Sequence, residues 1–321
     1  MRSVAVLRGT FCALSLSVAA AASGPACLPS NVISIWGGAR HNIMLLADGT
    51  VWDLGYNWFG KLGDNTVSNP PDYVNDRHVP IAVHGPNDVG TLSSIIAVMG
   101  GESHNFALRA DQTVWAWGWN MFGQVGDASY NDAHVPVQVA NLTSIKALGG
   151  RGYHSLALDT NGDVWCWGLG TSGQLGDGNT STSNIPLKVQ GLGGAAAAVT
   201  GGYVTSFALM PDHTVRSWGG NNNGQLGNGS PAAYSATPVT VMGLANVAQI
   251  SAGWKHVLAV TMTGDVYAWG LNLNHELGYG GTMDSHVPAQ VPGISNVVQV
   301  SGGDCHSAAL KADGTVWTWG C

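Results

Sequence analysis

Short runs of alternating apolar and small or polar side chains recur along the chain and predict β-strands. In Val114-Trp115-Ala116-Trp117 the two indoles fall on one face and the small residues on the other, which is the two-residue period of a strand. One unit later, residues 155–158 and 163–168 have the same character and flank the turn Asn161-Gly162, as in a β-hairpin. No copy of this unit contains a ten-residue helical period free of Gly and Pro, which excludes a helical solenoid.

The hairpins belong to a repeat of about 50 residues. A Trp-Gly dipeptide, degenerate in the first copy, marks each copy, and successive markers lie 63, 50, 51, 51 and 50 residues apart. A histidine recurs at one position of the repeat in five of the six copies, and Ser206 is assigned to that position in the fourth. In the third copy, residues 185–189 and 195–200 predict two more strands, so each copy supplies four. The marker is Trp-Gly at Trp117, Trp167, Trp218, Trp269 and Trp319, with Leu54-Gly55 as a degenerate first copy, and the histidines are His41, His104, His154, His256 and His306.

A Gly-Gln-Leu-Gly loop follows the Trp-Gly marker. It reads Gly173-Gln174-Leu175-Gly176 in the third copy, with variants at residues 60–63, 123–126, 224–227 and 275–278. Together with the Gly-Gly and His that begin each copy, this pattern resembles the regulator of chromosome condensation (RCC1) repeat family over residues 32–320. The resemblance implies an all-β fold, a β-propeller with six recognisable blades. Because known members mostly have seven blades, an incomplete seven-bladed ring is the alternative.

The two ends of the chain are expected to meet. Residues 32–35 are assigned as a strand of the fourth type and residues 316–319 as one of the second type, so both would share one blade, still one strand short. Cys27 and Cys321 would then come close enough for a disulfide that locks the ring. A free pair, or lipid attached to Cys27, is the alternative, because the sequence does not fix connectivity.

The first residues predict export. Arg2 and Arg8 precede an apolar stretch at residues 11–22 that ends in three alanines, the pattern of a signal peptide. We therefore expect a signal peptide at residues 1–22, a short segment at 23–31 and one propeller domain at 32–321. The mature protein is expected to be a monomer, extracellular or periplasmic and of bacterial type, in a compartment where disulfides persist.

The composition and net charge limit the classes of partner that the protein can bind. Charged residues are 10% of the 321, whereas Gly and Trp number 46 and 13, as suits many short strands and tight turns. The net charge is −7, and without Arg2 and Arg8 the balance is 10 basic against 19 acidic residues, or −9. Nucleic acid is excluded because no basic stripe is present to neutralise phosphates. Guanine-nucleotide exchange conflicts with export and this charge, and no later segment reaches the length of a transmembrane span.

Three groups of residues resemble chemical sites, and each has a simpler structural explanation. The repeated histidines could ligate a metal, but residues that recur in every blade normally do one structural task in each. Cys305 and His306 are adjacent on a strand and point to opposite faces, so they do not make a nucleophile and base. Residues 177–180 lack the acidic spacing of a calcium loop. We therefore predict a protein that is not an enzyme, with no catalytic residue, cofactor or metal.

The first two copies break the symmetry of the repeat. Their loops after the Trp-Gly position are aromatic where later loops are polar, and the first copy is 13 residues longer. Insertions in repeat proteins map to loops, often on a binding face. The alternative is that these side chains pack under the inserted loop as a satellite cluster. The predicted binding patch consists of Tyr56, Trp58, Phe59, Trp119, Met121 and Phe122.

These patterns favour a secreted binding or scaffold propeller that holds a protein partner. Carbohydrate binding is the alternative, because aromatic rings also stack on sugars. Inhibition of an enzyme is a third possibility, since the pattern is similar to that of secreted propellers that inhibit β-lactamases. A single Gly-Trp-Lys-His run at residues 253–256 is similar to a motif that a light-sensing member carries in a cluster, and one copy does not make a cluster.

Overall fold

The fold is a ring of six antiparallel sheets around a central channel. A computed structural model describes residue 29 and residues 31–69, 71 and 73–321. The first three sheets are formed by β1 (Val32–Gly38), β2 (His41–Leu46), β3 (Val51–Gly55), β4 (Arg77–Ala82); β5 (Ile95–Gly100), β6 (His104–Arg109), β7 (Val114–Gly118), β8 (Ala133–Gln138); and β9 (Ile145–Gly150), β10 (His154–Asp159), β11 (Val164–Gly168), β12 (Ser183–Lys188).

The next three sheets continue the same order. They are formed by β13 (Ala198–Gly201), β14 (Thr205–Leu209), β15 (Val215–Gly220), β16 (Tyr234–Thr240); β17 (Val247–Ala252), β18 (His256–Thr261), β19 (Val266–Gly270), β20 (Ser285–Gln290); and β21 (Val297–Gly302), β22 (His306–Lys311), β23 (Val316–Gly320). Two short 3-10 helices, Trp58–Gly60 and Pro86–Asp88, lie in the long first copy. Among the described residues, no helix is long and apolar enough to cross a membrane.

The prediction of an all-β propeller with six blades is confirmed, and within each sheet the strands follow chain order. The first strand of each sheet borders the channel, and the later strands lie progressively further out. The assignment of residues 32–35 to a fourth strand is wrong, because β1 pairs with β2 as the inner strand of the first sheet. The two ends therefore do not share a blade. Within the described part of the chain, the sixth sheet has three strands.

The Trp-Gly marker holds neighbouring blades together. The indoles of Trp117, Trp167, Trp218 and Trp269 are fully buried. Each indole Nε1 donates to the backbone oxygen of the second residue of the preceding blade's Gly-Gln-Leu-Gly loop, as Trp167 does to Gln124 at 2.9 Å. A buried indole needs such an acceptor, because an unpaired N–H inside the protein is costly. The marker and the loop therefore form one interface between blades.

The last position of the Gly-Gln-Leu-Gly loop requires a glycine. Gly176 has φ +69°, and a Cβ there would lie 2.7 Å from Nε1 of Trp218. Gly178 has φ +89° but open space around the same position. We expect Gly176→Ala to lower the free energy of unfolding by about 1–3 kcal/mol more than Gly178→Ala, because only the first adds overpacking to backbone strain. Urea denaturation of both variants measures this, and equal losses would contradict the account.

The repeated histidines link each blade to the next. His104 Nε2 lies 2.9 Å from Oγ of Ser155, whose hydroxyl donates to the backbone oxygen of Gln124 at 2.9 Å. The serine proton is thus committed, so the histidine Nε2–H is the donor. Equivalent contacts join His154 to Ser206 and His256 to Ser307, and His41 uses the amide of Asn105. We call these four contacts the histidine locks.

The fourth copy has no histidine lock, and the register given above for Ser206 is wrong. Thr205 pairs with Gly219 as His154 pairs with Gly168, so Thr205 occupies the histidine position. Ser206 is instead the serine that receives the lock of the preceding blade. Ser206 lies one residue after the true histidine position, and the sequence did not reveal this because Thr205 resembles neither a histidine nor a glycine.

The last cysteines form a pair that the sequence did not predict. Cys321 is bonded to Cys305, with their Cα atoms 5.6 Å apart. The predicted bond between Cys27 and Cys321 is therefore wrong, because Cys321 is already paired. Cys27 and the predicted signal peptide at residues 1–22 lie outside the described residues. Cys166 is a free, fully buried thiol that packs as a small apolar side chain.

Candidate functional site

One end of the propeller collects two sets of loops. The first and third strands of a sheet run in the same direction, so the loop after the Gly-Gly step and the loop after Trp-Gly emerge at the same end. Consecutive blades are also joined there by backbone hydrogen bonds, including Glu102 N–H to the Gly152 oxygen and Trp254 N–H to the Gly303 oxygen. This end therefore presents a rim of loops that runs without a break from the first blade to the sixth at the channel mouth.

The structure divides the predicted aromatic patch into two groups. Tyr56 and Trp58 pack with Tyr73, which lies in the insertion; the rings of Trp58 and Tyr73 stack with centroids 6.3 Å apart. The guanidinium of Arg40 lies 5.6 Å from the Trp58 ring and 5.5 Å from the Tyr56 ring. This group packs against the insertion through Tyr73, and we call Tyr56, Trp58 and Tyr73 the aromatic trio.

The second group continues around the rim. Phe59 stacks on Trp119 with ring centroids 5.2 Å apart, and Trp119 also meets Phe122 at 5.2 Å. Met121, in the same loop as Trp119, is 64% exposed. Three of the six predicted residues therefore join in a ring cluster across the first two blades, and a fourth projects into solvent beside it.

Three further aromatic residues extend this cluster across the next blades. Trp119 contacts Tyr153 at 5.3 Å, Tyr153 contacts Tyr203 at 5.3 Å, and Tyr203 contacts Trp254 at 5.5 Å between ring centroids. Burial raises the pKa of the Tyr153 hydroxyl, and its hydrogen bond with Tyr203 acts in the same direction. The Tyr153 hydroxyl therefore keeps its proton. We call the continuous run the aromatic belt: Phe59, Trp119, Phe122, Tyr153, Tyr203 and Trp254.

Sequence reasoning missed half of the belt. Tyr153, Tyr203 and Trp254 each occupy one of the two positions immediately before the histidine position. Those two positions differ in every copy, for example Glu102-Ser103 and Asp304-Cys305, while their neighbours recur. That local loss of repetition was a usable signal. It is a weaker signal than the longer aromatic loops of the first two copies, because each of these rings is a single residue within the recurring motif.

Charged side chains surround the channel mouth inside the belt. The channel encloses a cavity of about 570 Å³ lined by the inner strands. Arg151 reaches across it from the third blade to the sixth, with Nη1 2.5 Å from the Gly302 oxygen and Nη2 2.9 Å from Asp304. Burial raises the pKa of the Glu102 carboxyl, and the charge of Asp304 adds to that rise. The mouth therefore carries both signs of charge.

Two buried titratable side chains beneath the rim, Lys61 and Asp53, are structural. Lys61 replaces the loop glutamine in the first blade, and its Nζ donates to the Ala39 oxygen at 2.8 Å. Burial lowers the pKa of Lys61 to about 8 and raises that of Asp53 well above its usual value. Neither side chain is more than 2% exposed. A substrate could not reach them, so their shifted pKa values do not mark an acid–base site.

No cluster of metal ligands accompanies the belt. Among the described residues, no group of three or more His, Cys, Asp or Glu side chains is arranged to hold a metal ion. The four locking histidines contact side chains of neighbouring blades instead. The features that distinguish this end of the propeller are thus its aromatic belt and its mixed charges.

Several solved structures are similar to this fold. Yeast RCC1 (Prp20), in a crystal structure bound to Kap60, has a TM-score of 0.77 at 24% identity, covering 90% of this chain and 70% of that one. Human WBSCR16 has a TM-score of 0.76 at 25% identity, covering 87% of this chain and 71% of that one. At these sequence identities, the structural similarity is evidence for the fold alone.

Sequence comparison gives the family. The ultraviolet-B receptor UVR8 of Arabidopsis thaliana is 30% identical over 250 residues, which is 77% of this chain and 43% of the receptor. The chain thus spans less than half the length of the curated relatives it matches. The profile of the regulator of chromosome condensation (RCC1) repeat matches residues 111–158, 161–209, 212–260 and 263–310, and a second RCC1 profile matches 95–124 and 247–276. The chain therefore belongs to the RCC1 repeat family.

Proposed function

We propose that this propeller is a non-enzymatic binding module that holds a protein partner against its aromatic belt. The observation that carries the proposal is the unbroken run of six rings across five blades on one face. Aromatic residues and arginine are enriched in protein interfaces, where they anchor most of the binding energy. Arg151 lies beside the belt at the channel mouth.

The ring geometry favours a protein over a glycan. Sugar binding needs a ring whose flat face is free to stack. In the belt, Phe59 stacks on Trp119, and the ammonium of Lys255 lies 4.7 Å from the centre of the Trp254 ring. The exposed Met121 and Trp254, with the half-buried rings between them, form an irregular apolar surface that suits a folded partner. Among relatives, the yeast protein Prp20p has been solved with a description of its binding to Gsp1p and histones.

The proposal includes export. The basic start and apolar stretch in residues 1–22 favour a signal peptide. The disulfide between Cys305 and Cys321 supports a compartment in which thiols are oxidised. We expect reductant to add two alkylatable thiols to the mature protein from this pair, as measured by intact mass.

A glycan array and a protein capture, run with the same purified chain, test the class of partner. Retention of a protein by the wild-type chain, lost on Trp119→Ala and with no glycan bound, is the expected result. A glycan that is bound and lost with the same substitution would replace the proposal by carbohydrate binding. A protein that the Trp119→Ala variant retains as well as the wild-type chain does would contradict the proposed role of the aromatic belt.

A further inference from the structure

One position of the repeat borders the channel mouth at the belt end of the propeller. It lies two residues after the last first-strand residue that pairs with the second strand, as Gly152 follows Gly150, the partner of Ser155. In the first five blades the N–H at this position donates to a backbone oxygen of the next blade, as Glu102 does to Gly152. We call the residues at this position the mouth ring: Ala39, Glu102, Gly152, Tyr203, Trp254 and Asp304.

The mouth ring combines aromatic and acidic side chains. Tyr203 and Trp254 belong to the aromatic belt, whereas Glu102 is half-buried and the side chain of Asp304 is 77% exposed. The charge of Asp304, on the sixth blade, acts on Glu102, on the second, so the two carboxylates face the same space. The charge of Glu102 also acts on the hydroxyl of Tyr153. The Glu102 carboxylate therefore lies between the channel mouth and the belt.

Arg151 shows that this mouth accepts a cation. It stands one position before the mouth ring, where the other copies have glycine: Gly38, Gly101, Gly202, Gly253 and Gly303. Its guanidinium donates to the Gly302 oxygen at 2.5 Å and to Asp304 at 2.9 Å. A carbonyl and a carboxylate together are the acceptors that a guanidinium prefers. The chain's own arginine is therefore an internal example of a basic side chain bound at the mouth.

The charges at the mouth leave one carboxylate over. Arg151 pairs with Asp304, whereas in the part of the chain that the structure describes the Glu102 carboxylate accepts no hydrogen bond and makes no ion pair. Burial raises the pKa of the Glu102 carboxyl, and the charge of Asp304 raises it further, while that of Arg151 lowers it. A half-buried carboxylate without a donor is unfavourable, and an incoming cation relieves this.

Two other basic side chains near Glu102 are held elsewhere. The buried ammonium of Lys61 donates to the Ala39 oxygen at 2.8 Å. The guanidinium of Arg40 lies 5.6 Å from the centre of the Trp58 ring. Both act on Glu102 more weakly than Arg151 does. The mouth thus offers one carboxylate to a cation from outside, and the net charge of −7 favours the approach of a basic partner.

We infer that Glu102 receives an arginine or lysine side chain of the protein that the aromatic belt binds, an inference that rests on the proposed function. The basic side chain enters the mouth beside Arg151, and its methylene groups lie against Tyr153. The belt supplies the apolar contact area. Glu102 selects the partner, because a neutral or acidic side chain at this place would leave the carboxylate unpaired. The partner therefore presents a basic residue flanked by apolar ones.

The test uses the full chain and two capped tripeptides that have leucine at both ends. One has a central arginine, and the other has a central citrulline, which keeps the shape of arginine without its charge. Shifts of the indole N–H signals of nitrogen-15-labelled protein measure both affinities. The wild-type chain should bind the arginine peptide about tenfold more tightly, because a charge-assisted pair is added. Glu102→Gln should bind the two peptides equally.

The matched control is Asp111→Asn, which removes one negative charge from the same blade, in the turn between β6 and β7 at the opposite end. It should keep the preference for arginine. Arg151→Gln should strengthen binding of the arginine peptide about threefold, since it leaves both carboxylates to the incoming guanidinium. A purely structural role of Arg151 would not raise the affinity. Thermal melts establish that each variant remains folded.

Equal affinities of the wild-type chain for the two peptides, or a preference for arginine that survives Glu102→Gln, would overturn the inference. So would an absence of binding, which includes the case in which residues 1–31 of the chain already fill the mouth. Trp119→Ala separates the inference from the proposed function, because it should weaken both peptides and keep the preference. If the preference depends on Glu102 and neither affinity responds to Trp119→Ala, the proposed function fails and the cation site stands. If both peptides bind equally and both respond to Trp119→Ala, the cation site fails and the belt stands.

Discussion

Acidification from about pH 7.5 to about pH 5 is expected to lower the free energy of unfolding by several kcal/mol. Burial lowers the pKa of His41, His154 and His256 to about 4 and that of His104 to about 3. In the unfolded chain these groups titrate near 6.5. Between pH 6.5 and 4 the unfolded state therefore binds more protons than the folded state. The stabilisation is complete above pH 6.5 and is lost as the pH falls towards 4.

The locks give the physical reason for this pH dependence. Nε2 of each histidine is used in its lock, while Nδ1 of His104, His154 and His256 is buried with no hydrogen-bond partner among the described residues. Protonation would create an unpaired buried N–H as well as a buried charge. Each histidine contributes about 1.4 kcal/mol per pH unit in this range. Asp53 acts in the opposite direction, because its pKa is raised by burial and its protonation favours the folded state.

Urea denaturation at a series of pH values measures this effect. His104→Gln should reduce the slope of stability against pH by about one histidine's share. His306→Gln is the matched control, since His306 is exposed and makes no lock, and it should leave the slope as in the wild type. A slope that is flat, or equally reduced by both substitutions, would contradict the histidine locks.

Trp119→Ala is expected to weaken the protein partner's binding about a hundredfold, or about 2.7 kcal/mol. Trp119 contacts Phe59, Phe122 and Tyr153, so its removal opens the belt at the point where three rings meet. Central aromatic anchors cost 2 kcal/mol or more on truncation to alanine. Biolayer interferometry with the captured partner measures the change.

The control for this substitution is Trp165→Ala. Trp165 is also partly buried, but it lies within β11, away from the belt, and its Nε1 donates to Asp159 at 3.2 Å. Its loss should leave partner affinity within about twofold of the wild type. Thermal melts of both variants establish that each remains folded. Equal losses of affinity would contradict a localised binding face.

The repeat units were predictable from sequence because each one makes the same contacts within its hairpin and with the adjacent blade. The alternation in residues 114–117 fixes which side chains face the neighbouring blade, and the Asn161-Gly162 turn fixes the hairpin. The close approach of Gly176 to Trp218 explains why Trp-Gly and Gly-Gln-Leu-Gly occur together. These are contacts between adjacent blades, so one period of the sequence contains all the information they need.

The ends of the ring were not predictable in the same way. Whether Cys321 pairs with Cys27 or Cys305 depends on where the ring begins, and residues 32–35 lack the context that separates a first from a fourth strand. Once β1 is the inner strand, Cys321 lies beside Cys305, because β22 and β23 pair from His306 to Gly320. The pairing follows from strand order rather than from cysteine spacing.

Only half of the aromatic belt could be predicted from the sequence, for a related reason. Phe59, Trp119 and Phe122 stand out as aromatic loops, whereas Tyr153 and Trp254 are single substitutions inside a recurring motif. Only the geometry shows that the loops after the first and third strands share one rim. Likewise, Trp58 and Trp119 looked equivalent in sequence, but the insertion covers the first through Tyr73.

Site-specific photo-crosslinking tests the binding face most directly. A photoreactive amino acid is placed at Met121, beside the belt, or at Met262, in the hairpin turn at the opposite end of the propeller. The two side chains are 64% and 63% exposed, so they offer the reagent equal access. We predict that a protein partner crosslinks from position 121 and that this crosslink is lost on Trp119→Ala, with none from position 262. Crosslinking from position 262 alone, or crosslinking from position 121 that survives the loss of Trp119, would contradict the account.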